Sequence, residues 1–99
     1  MIRHIVVFKF NADTVEARAA DAVLVKQRLE GLIPLIPAIS ALTVGISLGL
    51  VDGHWDAVLV GDYRTVADLE TYQAHPEHVA AAAFVGTLTE SRAIVDFEF

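Results

Sequence analysis

A chain of 99 residues without cysteine builds one domain around a modest core and has no disulfide to steady it, so association with another copy is the expected reinforcement. Seven Lys and Arg against thirteen Asp and Glu give a net charge of −6, with no basic run, which sets nucleic-acid binding aside and disfavours an anionic membrane surface. Hydrophobic residues make up 55% of the chain, above the usual share for a soluble domain, so the excess must meet a partner surface, a ligand cavity or a membrane.

Residues 2–10 (IRHIVVFKF) are rich in β-branched and aromatic types and predict a first strand, with His4, Val6, Phe8 and Phe10 on one face and Ile5 and Val7 on the other. Lys9 interrupts this apolar run and no small-residue cleavage site follows, so no secretion signal is read there and the expected compartment is the cytoplasm. Asp13 and Glu16 have capping-box spacing and open a predicted helix from about Val15 to Leu32, with Ala22, Val25, Leu29 and Leu32 on one stripe. The uncharged stretch from Gly31 to Val51 is long enough to span a bilayer, but Pro34, Pro37 and several glycines break it. Leu42, Val44, Ile46 and Leu48 alternate there, which predicts a second strand over 39–48.

A loop follows, then a third strand over 55–63 (WDAVLVGDY), with Ala57, Leu59, Gly61 and Tyr63 on one face. Thr65 and Asp68 cap a short helix to about Ala74. His75-Pro76 breaks it, because a residue before proline avoids the helical region, and Pro76 suits the first turn of the next helix, to about Gly86 or slightly beyond. A fourth strand is expected over 91–98 (SRAIVDFE).

The order β-α-β-β-α-β predicts a single α+β domain over 1–99 of the ferredoxin-like kind, with helices on one sheet face. The other face carries Ile5, Val7, Val58, Val60, Ala93, Val95 and Phe97, too apolar for water. Two such sheets packed about a twofold axis would bury it, so a homodimer in the form of a dimeric α/β barrel is expected.

MIRHIVVFKF, WDAVLVGDY, YQAHPEH and SRAIVDFEF together resemble the stress-responsive A/B barrel (Dabb) family over nearly the whole chain. The most specific part is His75-Pro76-Glu77-His78 with Tyr72 three residues before it, followed by His4 on the opening strand. The resemblance implies sheet-to-sheet dimers, and many family members have no assigned reaction. A plant branch of polyketide cyclases, which close a linear polyketide by aldol condensation without cofactor, is similar at key positions. Its catalytic tyrosine and histidine match Tyr72 and His78, its first-strand histidine matches His4, and an aspartate matches Asp96. A histidine and a tryptophan of that branch fall near Ala57 and Thr89 here, so the implied pocket differs in size and polarity.

His78 in the first turn of a helix suits a neutral base, since the helix dipole disfavours imidazolium, and the Tyr72 hydroxyl suits a donor to a developing enolate. Packing roles for both residues explain the same pattern. His4 and Asp96 lie on neighbouring strands, where a carboxylate would hold the imidazole in one tautomer, for a ligand or simply as a satisfied core pair. Phe8 and Leu59 are expected to line a ligand cavity, and the alanines of Val79–Val85 leave room for one. His75 has a helix-end role. No HxH or HExxH spacing points to a metal, and Gly45, Gly49 and Gly53 lack nucleotide-binding spacing, so no cofactor is expected. Three functions stay open: a dimeric binder of a small apolar ligand bearing carbonyl or hydroxyl groups, a cofactor-free cyclase or lyase using enolate chemistry, and a structural stress protein.

Overall fold

Four alternating apolar segments become the strands of one antiparallel sheet in a computed structural model that describes residues 1–99. In chain order the elements are β1 (Ile2–Phe10), α1 (Val15–Glu30), β2 (Ala41–Ile46), β3 (Ala57–Tyr63), α2 (Val66–Ala74), α3 (Pro76–Leu88) and β4 (Thr89–Glu98). The spatial order β2-β3-β1-β4, antiparallel at every step, is the ferredoxin-like α+β arrangement expected from the element order.

Alternation sorts the two faces. His4, Val6, Phe8 and Phe10 of β1 lie under the helices, as do Leu42 and Val44 of β2 and Ala57, Leu59 and Tyr63 of β3. Onto them α1 lays the stripe Ala22, Val25 and Leu29, α2 adds Leu69 and Tyr72, and α3 adds Ala81 and Val85. The helices are unevenly spread over the sheet. α1 packs on β2, α2 packs on β1 and β3, and α3 leans on the other two helices. No helix packs closely on β4, which is exposed along nearly its whole length. A gap therefore separates α3 from β4.

The opposite sheet face has no cover. Val95, Ile5 and Val60 form one row across β4, β1 and β3, and Ala93, Val7 and Val58 form the next. Val95 is 59% exposed and Phe97 41%. At the end of this face Arg3 grips Asp62 through both carboxylate oxygens, at 2.8 and 2.9 Å, and its guanidinium lies 4.3 Å over the Phe99 ring. That grip holds the Asp62 carboxyl below its ordinary range.

The β2 edge is held from the side by α1. The Val44 N–H donates to Glu30 Oε2 at 2.9 Å, and the Val44 carbonyl accepts from Lys26 Nζ at 2.7 Å. Lys26 and Glu30 close the clamp on each other at 2.7 Å. The bond from Lys26, and then that from the Val44 N–H, lower the Glu30 pKa.

Several element ends differ from expectation, each for a local reason. Thr14, not Asp13, caps α1, because its hydroxyl accepts from the Ala17 N–H at 3.1 Å. α1 stops at Glu30, and Leu32–Leu35 continue as turns. β2 is shorter than 39–48: Ser40 and Ser47 still donate backbone bonds to Asp62 and Asp56, but Gly49, at φ +69°, bends the chain away. β3 begins at Ala57 rather than Trp55, since Asp56 turns inward and breaks the alternation. β4 begins at Thr89 rather than Ser91, because Thr89 ends α3 and starts the strand at once.

Asp56 accepts the Phe10 N–H at 2.8 Å and lies 3.5 Å from Arg18 Nε. Asp56→Ala leaves that buried N–H unpaired and is expected to lower the unfolding free energy by about 1–3 kcal/mol. Urea denaturation of both proteins checks this, and superimposable curves would refute it.

Candidate functional site between α3 and β4

Pro76 forbids a helical conformation at His75, which sits at φ −63°, ψ 134°. One residue therefore serves two helices. The His75 N–H donates to the Tyr72 carbonyl at 3.2 Å and ends α2, while its Nδ1 accepts from the Glu77 N–H at 3.1 Å and starts α3. This is the helix-end role expected for it. The break brings Tyr72, in the last turn of α2, against His78, in the first turn of α3, with ring centroids 4.3 Å apart.

His78 Nδ1 lies 3.0 Å from the Gln73 carbonyl oxygen. A carbonyl only accepts, so Nδ1 carries the hydrogen and the neutral ring keeps its lone pair on Nε2. Burial pushes the His78 pKa below its ordinary value; the Gln73 bond opposes this, and the charges of His4, Arg92 and His75 reinforce it. His78 is thus a neutral imidazole with a fixed tautomer.

Tyr72 is 1% exposed and stands amid the cluster, 5.0 Å from the Tyr63 ring and 6.5 Å from that of His4 by centroid. Burial raises its pKa, with the Tyr63 hydroxyl pulling the other way. Tyr63 is wholly buried, and its phenol is pushed far above the ordinary tyrosine range, first by burial and then by the field of Tyr72. Although the two phenols feel each other, the Tyr63 hydroxyl meets no partner at hydrogen-bonding geometry. Gly61 makes room for it, since a Cβ there would approach that hydroxyl to 2.9 Å.

Tyr72 and His78, but not Tyr63, border a cavity of about 700 Å³ between α3 and β4. Tyr72, His78, His4, Phe8 and Leu59 all line it. Asp96 is not on the wall: it stands behind His4 and accepts from its Nδ1, which fixes that ring as well. Ala82, Ala83 and Gly86 present little bulk from α3, so the helix leaves space instead of filling it. Thr89 is on the wall, whereas Ala57 belongs to the core. His54 lies elsewhere, its Nδ1 within 3.2 Å of Ser47 Oγ and 3.0 Å of the Trp55 carbonyl. No three His, Asp or Glu side chains are grouped to hold a metal ion, and no helix is long and apolar enough to cross a membrane.

Sequence reasoning passed over Gln73, Tyr63 and the start of β4. Tyr63 read as one more residue of a strand face, and nothing in the pattern marked its hydroxyl as unpaired. At β4 the register against β1 shifts between Lys9 and Phe10, leaving Glu90 without an opposite number. Thr89, Glu90, Ser91 and Arg92 consequently all reach the cavity wall, which strict alternation forbids. The only readable signal was the polar run TESR leading into an apolar strand.

The family description "Stress responsive A/B Barrel Domain" matches residues 2–99. No curated protein matches the chain. Among solved structures, a dimeric ferredoxin-like protein of unknown function from Bacteroides fragilis is 35% identical, with 99% of this chain and 95% of that chain covered and a TM-score of 0.86. A dimeric ferredoxin-like protein of unknown function from Thermobifida fusca is 30% identical, with 99% and 90% covered and a TM-score of 0.82. A hydroxynitrile lyase from Passiflora edulis shares the fold at 15% identity, with 97% and 90% covered and a TM-score of 0.73.

His78 binds a proton less readily folded than unfolded. Above the ordinary value of 6.5 it is neutral in both states and adds no pH dependence. As pH falls through that value the unfolded chain takes the proton first, so stability declines. His78→Gln is expected to flatten this part of the stability profile, and NMR titration of wild-type His78 is expected to give a midpoint below 6.5 with the hydrogen on Nδ1. A midpoint at or above 6.5 would contradict the site's electrostatics.

Proposed function

The chain belongs to the stress-responsive A/B barrel domain family, and we propose that it is a homodimer whose subunits each hold a small apolar ligand bearing a carbonyl or hydroxyl group. The observation carrying this reading is one cavity that joins apolar walls, including Phe8 and Leu59, to a polar end made by His4, Tyr72 and His78. Apolar pockets with a few convergent polar groups are the usual form of small-molecule sites. A purely structural role would be served better by a helix α3 that closed the gap with larger side chains.

The homodimer rests on the uncovered sheet face and on the two relatives described as dimeric. Rows of Ile, Val and Ala that one subunit leaves wet are covered when a second sheet packs on them. Val95→Glu places a charge in the middle of that face. Sedimentation is expected to find dimers of the native protein at micromolar concentration and single subunits of the variant. Native protein that sediments only as single subunits would remove the dimer.

A second reading, enolate chemistry, is favoured by the state of His78. With Nδ1–H committed to Gln73, Nε2 is available to take a proton from carbon next to a carbonyl. Tyr72, kept protonated by burial, would donate to the oxygen on which charge develops, and the proton on His78 would return to carbon or to the leaving alkoxide. The Passiflora edulis relative, a lyase, shares the fold that would host such a step. The test is deuterium exchange at the central carbon of an apolar 1,3-diketone, followed by NMR. His78→Ala is expected to slow the protein-dependent rate by about a hundredfold, and Tyr72→Phe by a comparable factor. Unchanged exchange in both variants would remove these residues from any mechanism; a diketone that binds without exchanging would leave a binding protein.

A further inference from the structure

The cavity has a charged end that the aromatic and histidine cluster does not account for. Arg92 is the only Lys or Arg on its wall. It stands on β4 opposite Phe8, whose side chain points under the helices, so Arg92 projects from the same side of the sheet. The chain carries nearly two acids for each base, yet Arg92 has no carboxylate within ion-pairing distance. Arg3, Lys9, Arg18 and Lys26 each have one; Arg28, which lies over the Phe84 ring, and Arg64 also lack one, but neither lines this cavity. Glu90, the sole carboxylate on the cavity wall, sits two residues away and is taken by Lys9 Nζ at 3.5 Å. Regular alternation along β4, from Arg92 through Ile94 to Asp96, keeps Arg92 on the helix-covered side.

We propose that the cavity takes an acidic amphiphile: its carboxylate pairs with the Arg92 guanidinium, and its apolar body runs along Phe8, Leu59 and Ile94 toward Tyr72 and His78. A guanidinium fork matches a planar carboxylate through two parallel hydrogen bonds. His4 and Phe8 are four residues apart on β1, about 13 Å along the strand, which suits a chain of medium length. The assignment rests on the binding function proposed above and adds to it the charge of the ligand and the end at which that charge is held.

Decanoate and decanol are the probes, since they share an apolar chain and differ in charge. Their affinities for wild type, Arg92→Gln and Arg92→Lys are measured by calorimetry at low ionic strength. Decanoate is expected to bind wild type at least about tenfold more tightly than decanol, the difference a charge-assisted pair supplies. Arg92→Gln is expected to abolish that preference with decanol affinity unchanged, and Arg92→Lys to retain part of it. Equal binding of both probes to wild type, or a preference that survives Arg92→Gln, overturns the acidic-ligand assignment and leaves the apolar cavity standing. Failure of both probes to bind wild type overturns the cavity reading and the assignment together.

Discussion

The geometry of the candidate site depends on one covalent constraint, the pyrrolidine ring of Pro76. Because His75 cannot be helical before it, the second crossover consists of two helices with a capped joint between them. A continuous helix would carry Tyr72 and His78 six positions apart, on different faces of one rod. The joint instead folds one ring against the other, and it lets α3 lean on α1 and α2 rather than settle over β4. Proximity of the two polar rings and the empty space beside them thus have a single cause.

The sheet is apolar on both faces, and the helices cover only one of them, and that incompletely. The middle of the uncovered face carries Val, Ile and Ala side chains in register, with the Arg3–Asp62 pair at its end, which suits a second sheet. The partly covered face is uneven, with large rings at one end and alanines and glycine above. Excess hydrophobicity in the composition therefore divides between a broad uncovered sheet face and the walls of an open cleft.

The strands were legible because their signal is local. Alternation in VVFKF and AVLVGDY declares both period and face, and the strand order follows from the connections. The joint at His75-Pro76 was legible too, since proline acts on its neighbour regardless of tertiary context. Chain ends of elements were less so, because a cap such as Thr14 beside Asp13 is decided by a single hydrogen bond. Within the site, Tyr72, His78, His4, Phe8 and Leu59 line one cavity. Arg92 and Tyr63 escaped for different reasons. Arg92 stands on the helix-covered side by plain alternation with Ile94 and Asp96, but nothing in the sequence showed that it would lack a carboxylate partner there. Tyr63 owes its unpaired hydroxyl to Gly61 beneath it and Tyr72 beside it, a relation that exists only after packing.

The clamp that Lys26 and Glu30 place on Val44 reaches beyond the single subunit. A sheet with two bare edges can recruit strands without limit, and growth of that kind ends in fibres. Here the β2 edge already has its central donor and acceptor occupied by an ammonium and a carboxylate from its own helix. An incoming chain would have to break an ion pair and two hydrogen bonds before gaining its first rung. Only the β4 edge remains free, so strand addition has one point of entry instead of two. The fold thereby guards one of its two sheet edges, and it does so with side chains that touch neither the cavity nor the apolar face.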